Sequence, residues 1–237
     1  MTKSKYLFSV LAAMATILTG FGQSVEEIID KHIEAVGGKE KISQIKSLVC
    51  ENTLSVQGNE IPSTLTVLNG KGFRLESEYN GQRIVQVYAE HNGWTINPMT
   101  GTAGPLPLPE EEYKAGRDQI DIGGPLFNYE GKGSRVELQG KEDGAFKIRL
   151  QNRDKIITIF YIDPGTYYIV KSVTKAKMLG QEIEVIRTFS NYQKLEYGFV
   201  LPHTMDVSYG GQISLTSNLK NVEVNREVDP AIFDLGK

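Results

Sequence analysis

The runs Ile61-Pro62-Ser63-Thr64-Leu65-Thr66-Val67 and Phe73-Arg74-Leu75-Glu76-Ser77-Glu78-Tyr79, with Asn69-Gly70 between them, decide the fold class. Ile61, Ser63, Leu65 and Val67 alternate with Pro62, Thr64 and Thr66, and Phe73, Leu75 and Tyr79 alternate with Arg74, Glu76 and Glu78. A period of two places alternate side chains on opposite faces of an extended chain, so each run is a strand with one apolar face. An Asn-Gly pair supplies the positive φ that a tight hairpin needs, so the two strands are antiparallel neighbours.

The same grammar extends in both directions. Asn80-Gly81 leads into a strand around residues 84–89, and Asn92-Gly93 into a short one starting at Trp94 and running toward Pro98. Phe146, Ile148 and Leu150 alternate with Lys147 and Arg149. Residues 156–162 are almost continuously apolar, which predicts a strand covered on both faces. Further strands are expected at 168–175, 183–189, 201–209 and 213–224, punctuated by Asp163-Pro164-Gly165, Tyr197-Gly198 and Gly210-Gly211. Regular strands and turns indicate a large antiparallel meander.

One helix is well marked. Ser24 and Glu27 have capping-box spacing, Ile28, Ile29, His32, Ile33 and Val36 share a helical face, and Gly37-Gly38 supplies a stop. A second short helix is expected from Lys39 to Ile45. Residues 97–133 break the strand rhythm with Gly104-Pro105-Leu106-Pro107-Leu108-Pro109 and Gly123-Gly124-Pro125. Between these, 110–122 reads as a short helix, with Pro109 at its start and acidic residues in its first turn. This excursion is either a surface loop or a lid over a cavity, since long loops are commonly functional.

The N-terminus has the parts of an export signal: Lys3 and Lys5, an uncharged run from Tyr6 to Thr19, then Gly20 and Gly22 at peptidase-like positions. The run is shorter than the roughly 20 residues a spanning helix needs. Residues 1–22 are therefore expected to be a cleaved signal, and 23–237 a single domain. No cysteine stands at the signal's end to accept lipid, so the product is expected to be soluble and periplasmic. Cys50, the one cysteine, excludes an internal disulfide. Losing Lys3 and Lys5 takes the formal charge from −3 to −5, which argues against a nucleic-acid partner.

The chain carries no mark of catalysis. His32, His91 and His203 form no metal-ligand pattern, and neither a G-x-S-x-G elbow nor a Walker loop is present. Glu110-Glu111-Glu112 reads as a solvated helix start, and Asp118 with Asp121 as a surface or hinge pair. No catalytic residue, cofactor or metal is expected.

Taken in order, Val36-Gly37-Gly38 with Ile45-Lys46-Ser47-Leu48, Asn92-Gly93-Trp94-Thr95-Ile96-Asn97-Pro98, residues 161–167, residues 192–202, Val222-Glu223-Val224-Asn225 and Ile232-Phe233 resemble the periplasmic lipoprotein-sorting LolA/LolB-like superfamily, in its Bacteroidetes-type form. The resemblance implies a mainly β fold with a few helices, in which a strongly curved antiparallel sheet, an incomplete β-barrel, is closed by helices around an apolar cavity. It also implies a carrier of lipoprotein acyl chains or other lipids. At roughly 0.8 kcal/mol per CH₂, an acyl chain of about 14 carbons resists water by on the order of 10 kcal/mol, so transit needs a dry cavity and no chemistry. Carriers of that family hold a helical lid shut with an arginine, and the sequence marks none of its own arginines as the counterpart.

The alternatives are an envelope-stress sensor or protein-interaction module of the same fold, and an accessory subunit of an envelope hydrolase. The expected partners are lipid or acylated lipoprotein, with an inner- or outer-membrane protein left open, and a monomer is expected. If a cavity forms, inward strand faces line it, and Phe73, Leu75, Trp94, Phe146, Ile148 and Phe160 are the candidates. Alternation alone leaves open which face is concave.

Overall fold

The alternating runs pair as hairpins. In the computed structural model, which describes residues 23–98, 104–178 and 181–236, two helices precede the sheet: α1 (Val25–Ala35) and α2 (Lys39–Ser43). The expected signal, residues 1–22, lies outside the described residues. Six strands follow, β1 (Ser47–Val56), β2 (Asn59–Leu68), β3 (Gly72–Tyr79), β4 (Gln82–Ala89), β5 (Gly93–Ile96) and β6 (Leu106–Pro107). After α3 (Glu110–Gly116) come β7 (Arg135–Glu142), β8 (Ala145–Gln151), β9 (Ile157–Ile162), β10 (Ile169–Met178), β11 (Gln181–Lys194), β12 (Val200–Tyr209) and β13 (Ile213–Val224).

All thirteen strands form one antiparallel sheet, in the order β6-β5-β4-β3-β2-β1-β13-β12-β11-β10-β9-β8-β7. Each half is a meander of local hairpins. The long-range pairing of β1 with β13, from Leu48 opposite Val224 to Val56 opposite Leu215, joins the halves. The sheet does not close, and its free edges are β6 and β7. The segment between those edges in sequence, residues 108–134, therefore has to cross the open side.

Ser24 Oγ accepts from the Glu27 amide at 3.2 Å, and this side-chain cap starts α1. Ile28, Ile29, His32 and Ile33 are buried, as their spacing predicts. They enter the main apolar core with Phe146, Ile148, Leu150, Phe160 and Ile162 from β8 and β9. Gly37 has φ 131°, and a Cβ there would stand 3.0 Å from the Gly198 carbonyl oxygen. Only glycine tolerates both, so the turn after α1 packs directly on the backbone entering β12.

A second, smaller core holds Val85, Val87, Trp94, Ile96 and Phe233. It lies on the opposite face of the sheet. Arg74, Val87 and Trp94 form one register row across β3, β4 and β5, while the adjacent pair Phe73–Tyr88 points the other way. The C-terminal segment covers this outer face: Trp94 Nε1 donates to the Phe233 carbonyl at 2.9 Å, and Arg74 Nη1 to the Ile232 carbonyl at 2.6 Å.

Three expectations change. Strand β9 is covered on both faces only over Phe160–Ile162. Ile157 is 37% exposed, and Tyr161 on the outer face is sheltered by the stems of Lys147 and Lys171, whose ammonium groups lie over its ring. The expected helix at 110–122 stops at Gly116 and tightens into a 3-10 turn, Arg117–Ile120. Strands β1 and β7, which the sequence reading does not place, are integral to the sheet. β1 is buried on both faces over Ser47–Cys50 and has a register irregularity at Glu51/Asn52 against β13. β7 is an edge strand, exposed except for partial burial at Val136 and Leu138. Neither presents a clean alternation.

Candidate functional site

The inner face of the sheet and the crossing segment enclose a cavity of about 400 Å³. Side chains from strands far apart in the sheet, Phe73 of β3 and Leu150 of β8, line the same space, so this is the concave face. Its wall is largely aliphatic and aromatic: Leu48, Cys50, Leu65, Val67, Phe160 and Leu219 all contribute. The size lies in the range of sites that enclose one small ligand, about 300–1,000 Å³.

The roof is the crossing segment. Ala115, Gly116, Gln119, Ile122 and Pro125 line the cavity from this side. The absence of a side chain at Gly116 lets α3 settle on the Tyr88 ring, since a Cβ there would come 2.1 Å from Tyr88 Cζ. Tyr113 Oη donates to the carbonyls of Ala89 (3.1 Å) and Glu90 (2.8 Å), anchoring α3 to the end of β4.

The roof is tied to both halves of the sheet. On one side the Gly70 amide donates to the Ile120 carbonyl at 2.8 Å and the Ile122 amide to Asn69 Oδ1 at 3.0 Å. Asn69 and Gly70 are the turn residues that follow β2. On the other side Asn152 Nδ2 donates to Asp118 Oδ2 at 2.8 Å, and Arg117 pairs with Asp154 at 2.5 Å. Asn152 is itself held by the Asp154 and Ile156 amides, which donate to its Oδ1. A Lys132–Asp121 ion pair, with Lys132 also donating to the Gly124 carbonyl, closes the segment on itself.

The electrostatics match a dry interior. Burial pushes the Cys50 thiol up to about 12, and burial first of all raises the Tyr88 phenol to about 12. Both are neutral at physiological pH. Below α1, burial lowers the His32 pKa, and its Nδ1 lies 2.8 Å from the Tyr167 carbonyl. A carbonyl only accepts, so the neutral ring carries its proton on Nδ1. Among the described residues no His, Cys, Asp and Glu cluster could hold a metal ion.

The six residues singled out from sequence separate. Phe73 and Phe160 stand in the cavity wall. Phe146 and Ile148 share that inner face but are consumed in the core beneath α1, Phe146 stacking on Tyr167 at 6.3 Å. Leu75 pairs with the wall residue Leu65 and shares its face, outside the wall itself. Trp94 is the correction: it is 1% exposed on the outer face, where the Phe233 carbonyl takes its indole proton. A buried indole N–H needs such a partner. The wall also has polar members, among them Asp118, Asp121 and His203, which the sequence reading does not assign to a cavity, and Ser172 and Arg187, which it misses and which only the register brings beside Phe160. The sequence reading also misses the Arg117–Asp154 and Asp118–Asn152 ties, although Asp118 reads as a hinge or surface residue.

No helix among the described residues is long and apolar enough to cross a membrane. Neither a protein-family model nor a curated protein matches the chain. Solved structures do. An outer membrane lipoprotein-sorting protein domain from Vibrio parahaemolyticus superposes with a TM-score of 0.59 at 14% identity, over 88% of this chain and 97% of that one. A LolA superfamily protein from Nitrosomonas europaea gives 0.59 at 11% identity, over 90% and 98%. A DUF1329 family protein from Desulfovibrio piger gives 0.53 at 10% identity, over 90% and 98%. At such identities the likeness speaks for the fold alone, and that fold is the one seen in LolA-superfamily structures.

Proposed function

We propose that this chain is a periplasmic carrier or binding protein for lipoprotein acyl chains or other lipids, acting without catalysis. The observation that carries this reading is the roofed apolar cavity on the concave face of an unclosed sheet. Such a cavity offers an acyl chain about 0.8 kcal/mol per buried methylene and asks for no reactive group. The roof, held by a few hydrogen bonds and ion pairs and not by a strand ladder, is the part that can open for entry and release. The expected leader at 1–22 and the fold shared with a lipoprotein-sorting domain support a site of action in the periplasm.

The test is direct. The protein expressed with its leader is purified from the envelope fraction, extracted with organic solvent, and the extract is analysed by mass spectrometry. In parallel, a neutral solvatochromic dye is titrated into delipidated protein. Stoichiometric co-purified lipid, or saturable dye binding displaced by an acylated peptide, is the expected result. An extract free of lipid together with non-saturable dye binding refutes the carrier reading.

A further inference from the structure

The cavity wall is not uniformly apolar. Phe160, Ser172 and Arg187 stand side by side across β9, β10 and β11, and all three line the cavity. Arg187 is half-buried there. Every aspartate and glutamate of the chain lies within the described residues, and among these none forms an ion pair with it. Arg187 acts electrostatically on the Tyr88 phenol, which is uncharged at neutral pH. Glu112 of α3 acts on that same phenol and forms no ion pair with Arg187. The cations of the roof are spoken for: Arg117 by Asp154, Lys132 by Asp121.

Two carboxylates line the same cavity, Asp118 and Asp121, and both are engaged within the roof's own ties, to Asn152 and to Lys132. A half-buried guanidinium without an ion-pair partner is costly, and its five donors call for an acceptor. The space in front of it, about 400 Å³, has room for one small ligand. We propose that Arg187 binds the anionic headgroup of a single-chain amphiphile whose acyl tail lies along the apolar wall formed by Cys50, Leu65, Phe73 and Phe160. Ser172 stands beside the head as a neutral donor. The inference rests on the lipid-binding reading above and narrows it to one chain and one charge. A carboxylate and a phosphate offer the same chemistry to the guanidinium.

The experiment displaces Nile red, a neutral dye, from the purified full-length chain at pH 8, below the aggregation concentration of each amphiphile. Tetradecanoate is compared with tetradecanol. The anion should displace at a concentration lower by about tenfold or more, the scale of a charge-assisted hydrogen bond. The gap should close in Arg187→Gln and largely persist in Arg187→Lys, with melting curves confirming that both variants fold. Lysophosphatidylglycerol, if tighter than tetradecanoate, identifies a phosphate head, and the reverse order a carboxylate. Equal potency of tetradecanoate and tetradecanol on the unmodified protein overturns the headgroup site and leaves lipid binding standing. A gap that survives in Arg187→Gln does the same. Failure of every amphiphile to displace the dye overturns both readings.

Discussion

Gly116 is where the roof is thinnest, and a single methyl placed there should lift it. Its φ of −110° and ψ of −18° are open to alanine, so Gly116→Ala introduces no backbone strain. The new Cβ would meet Tyr88 Cζ at 2.1 Å. An ordinary carbon contact is about 3.5–4.0 Å, so ring or roof must yield by more than a bond's length of movement can hide. Tyr88 has little room, being packed beside Phe73 at a ring separation of 5.8 Å. Overpacking of this kind costs about 1–3 kcal/mol. The better helix propensity of alanine offsets up to about 1 kcal/mol. A net loss of about 1–2 kcal/mol lowers Tm by roughly 2–8 °C for a chain of this size.

The informative readout is local. Cys50 sits in the wall beneath the roof, and its pKa of about 12 stands against an ordinary 9.0. That leaves about a thousandfold fewer thiolates than an exposed cysteine has. Alkylation of Cys50 in the native protein should be slow and should accelerate in Gly116→Ala at temperatures well below its melting. Removing the obstructing ring, in Gly116→Ala combined with Tyr88→Ala, should abolish the added effect of the methyl, a coupling visible in a double-mutant cycle. Unchanged Cys50 kinetics in Gly116→Ala, or an effect of the methyl that persists without the ring, refutes the contact as the seat of closure.

Other outcomes follow from the same contacts. Trp94→Phe leaves the buried Phe233 carbonyl without its donor. It should destabilise the protein by about 1–3 kcal/mol in urea unfolding, while dye binding stays as before. Since the one tryptophan faces away from the cavity, its emission should not respond to bound amphiphile. Arg117→Ala strands the mostly buried Asp154. With both groups retaining some exposure, a loss of about 1–3 kcal/mol and faster Cys50 alkylation are expected, and Asp154→Asn in the same chain should recover part of the stability. His32 is neutral in the fold because burial lowers its pKa from 6.5. The unfolded chain therefore binds the extra proton, and stability should fall as pH drops below about 6.5 toward the lowered folded value. That slope should be absent from His32→Gln, as read from urea unfolding at several pH values; identical slopes in the two proteins would show that the ring is not held neutral.

Much of the sheet was legible as pattern. Where one face is dry and the other wet, as in β2, β3 and β8, alternation survives in the sequence and marks both the strand and its two faces. It faded where that asymmetry was lost. Strand β1 is covered over Ser47–Cys50 by core on one side and on the other by the chain after β13, where Ser47 Oγ donates to the Arg226 carbonyl at 2.5 Å. Strand β7 is exposed along most of an edge, so its composition is polar. The continuous apolar run of β9 does end in a stretch buried on both faces, and what composition does not reveal is that lysine stems cover Tyr161 there while Ile157 stays exposed.

Local sequence was enough for the strand grammar, the capped first helix with its buried face, and the lack of a catalytic motif, because each depends on residues within a few positions of one another. Which face curls inward is fixed only in three dimensions, since a strand's two faces are equivalent until β1 pairs with β13 across the length of the chain. That pairing places Phe73 and Phe160 in one wall and sends Trp94 to the far side. It also sets Arg187 in the cavity wall without an ion pair to any described carboxylate. The roof was likewise beyond local reading. It exists because the chain must cross from edge β6 to edge β7, and its ties run from Asn69 to Ile122 and from Asn152 to Asp118, between residues that no short-range pattern connects.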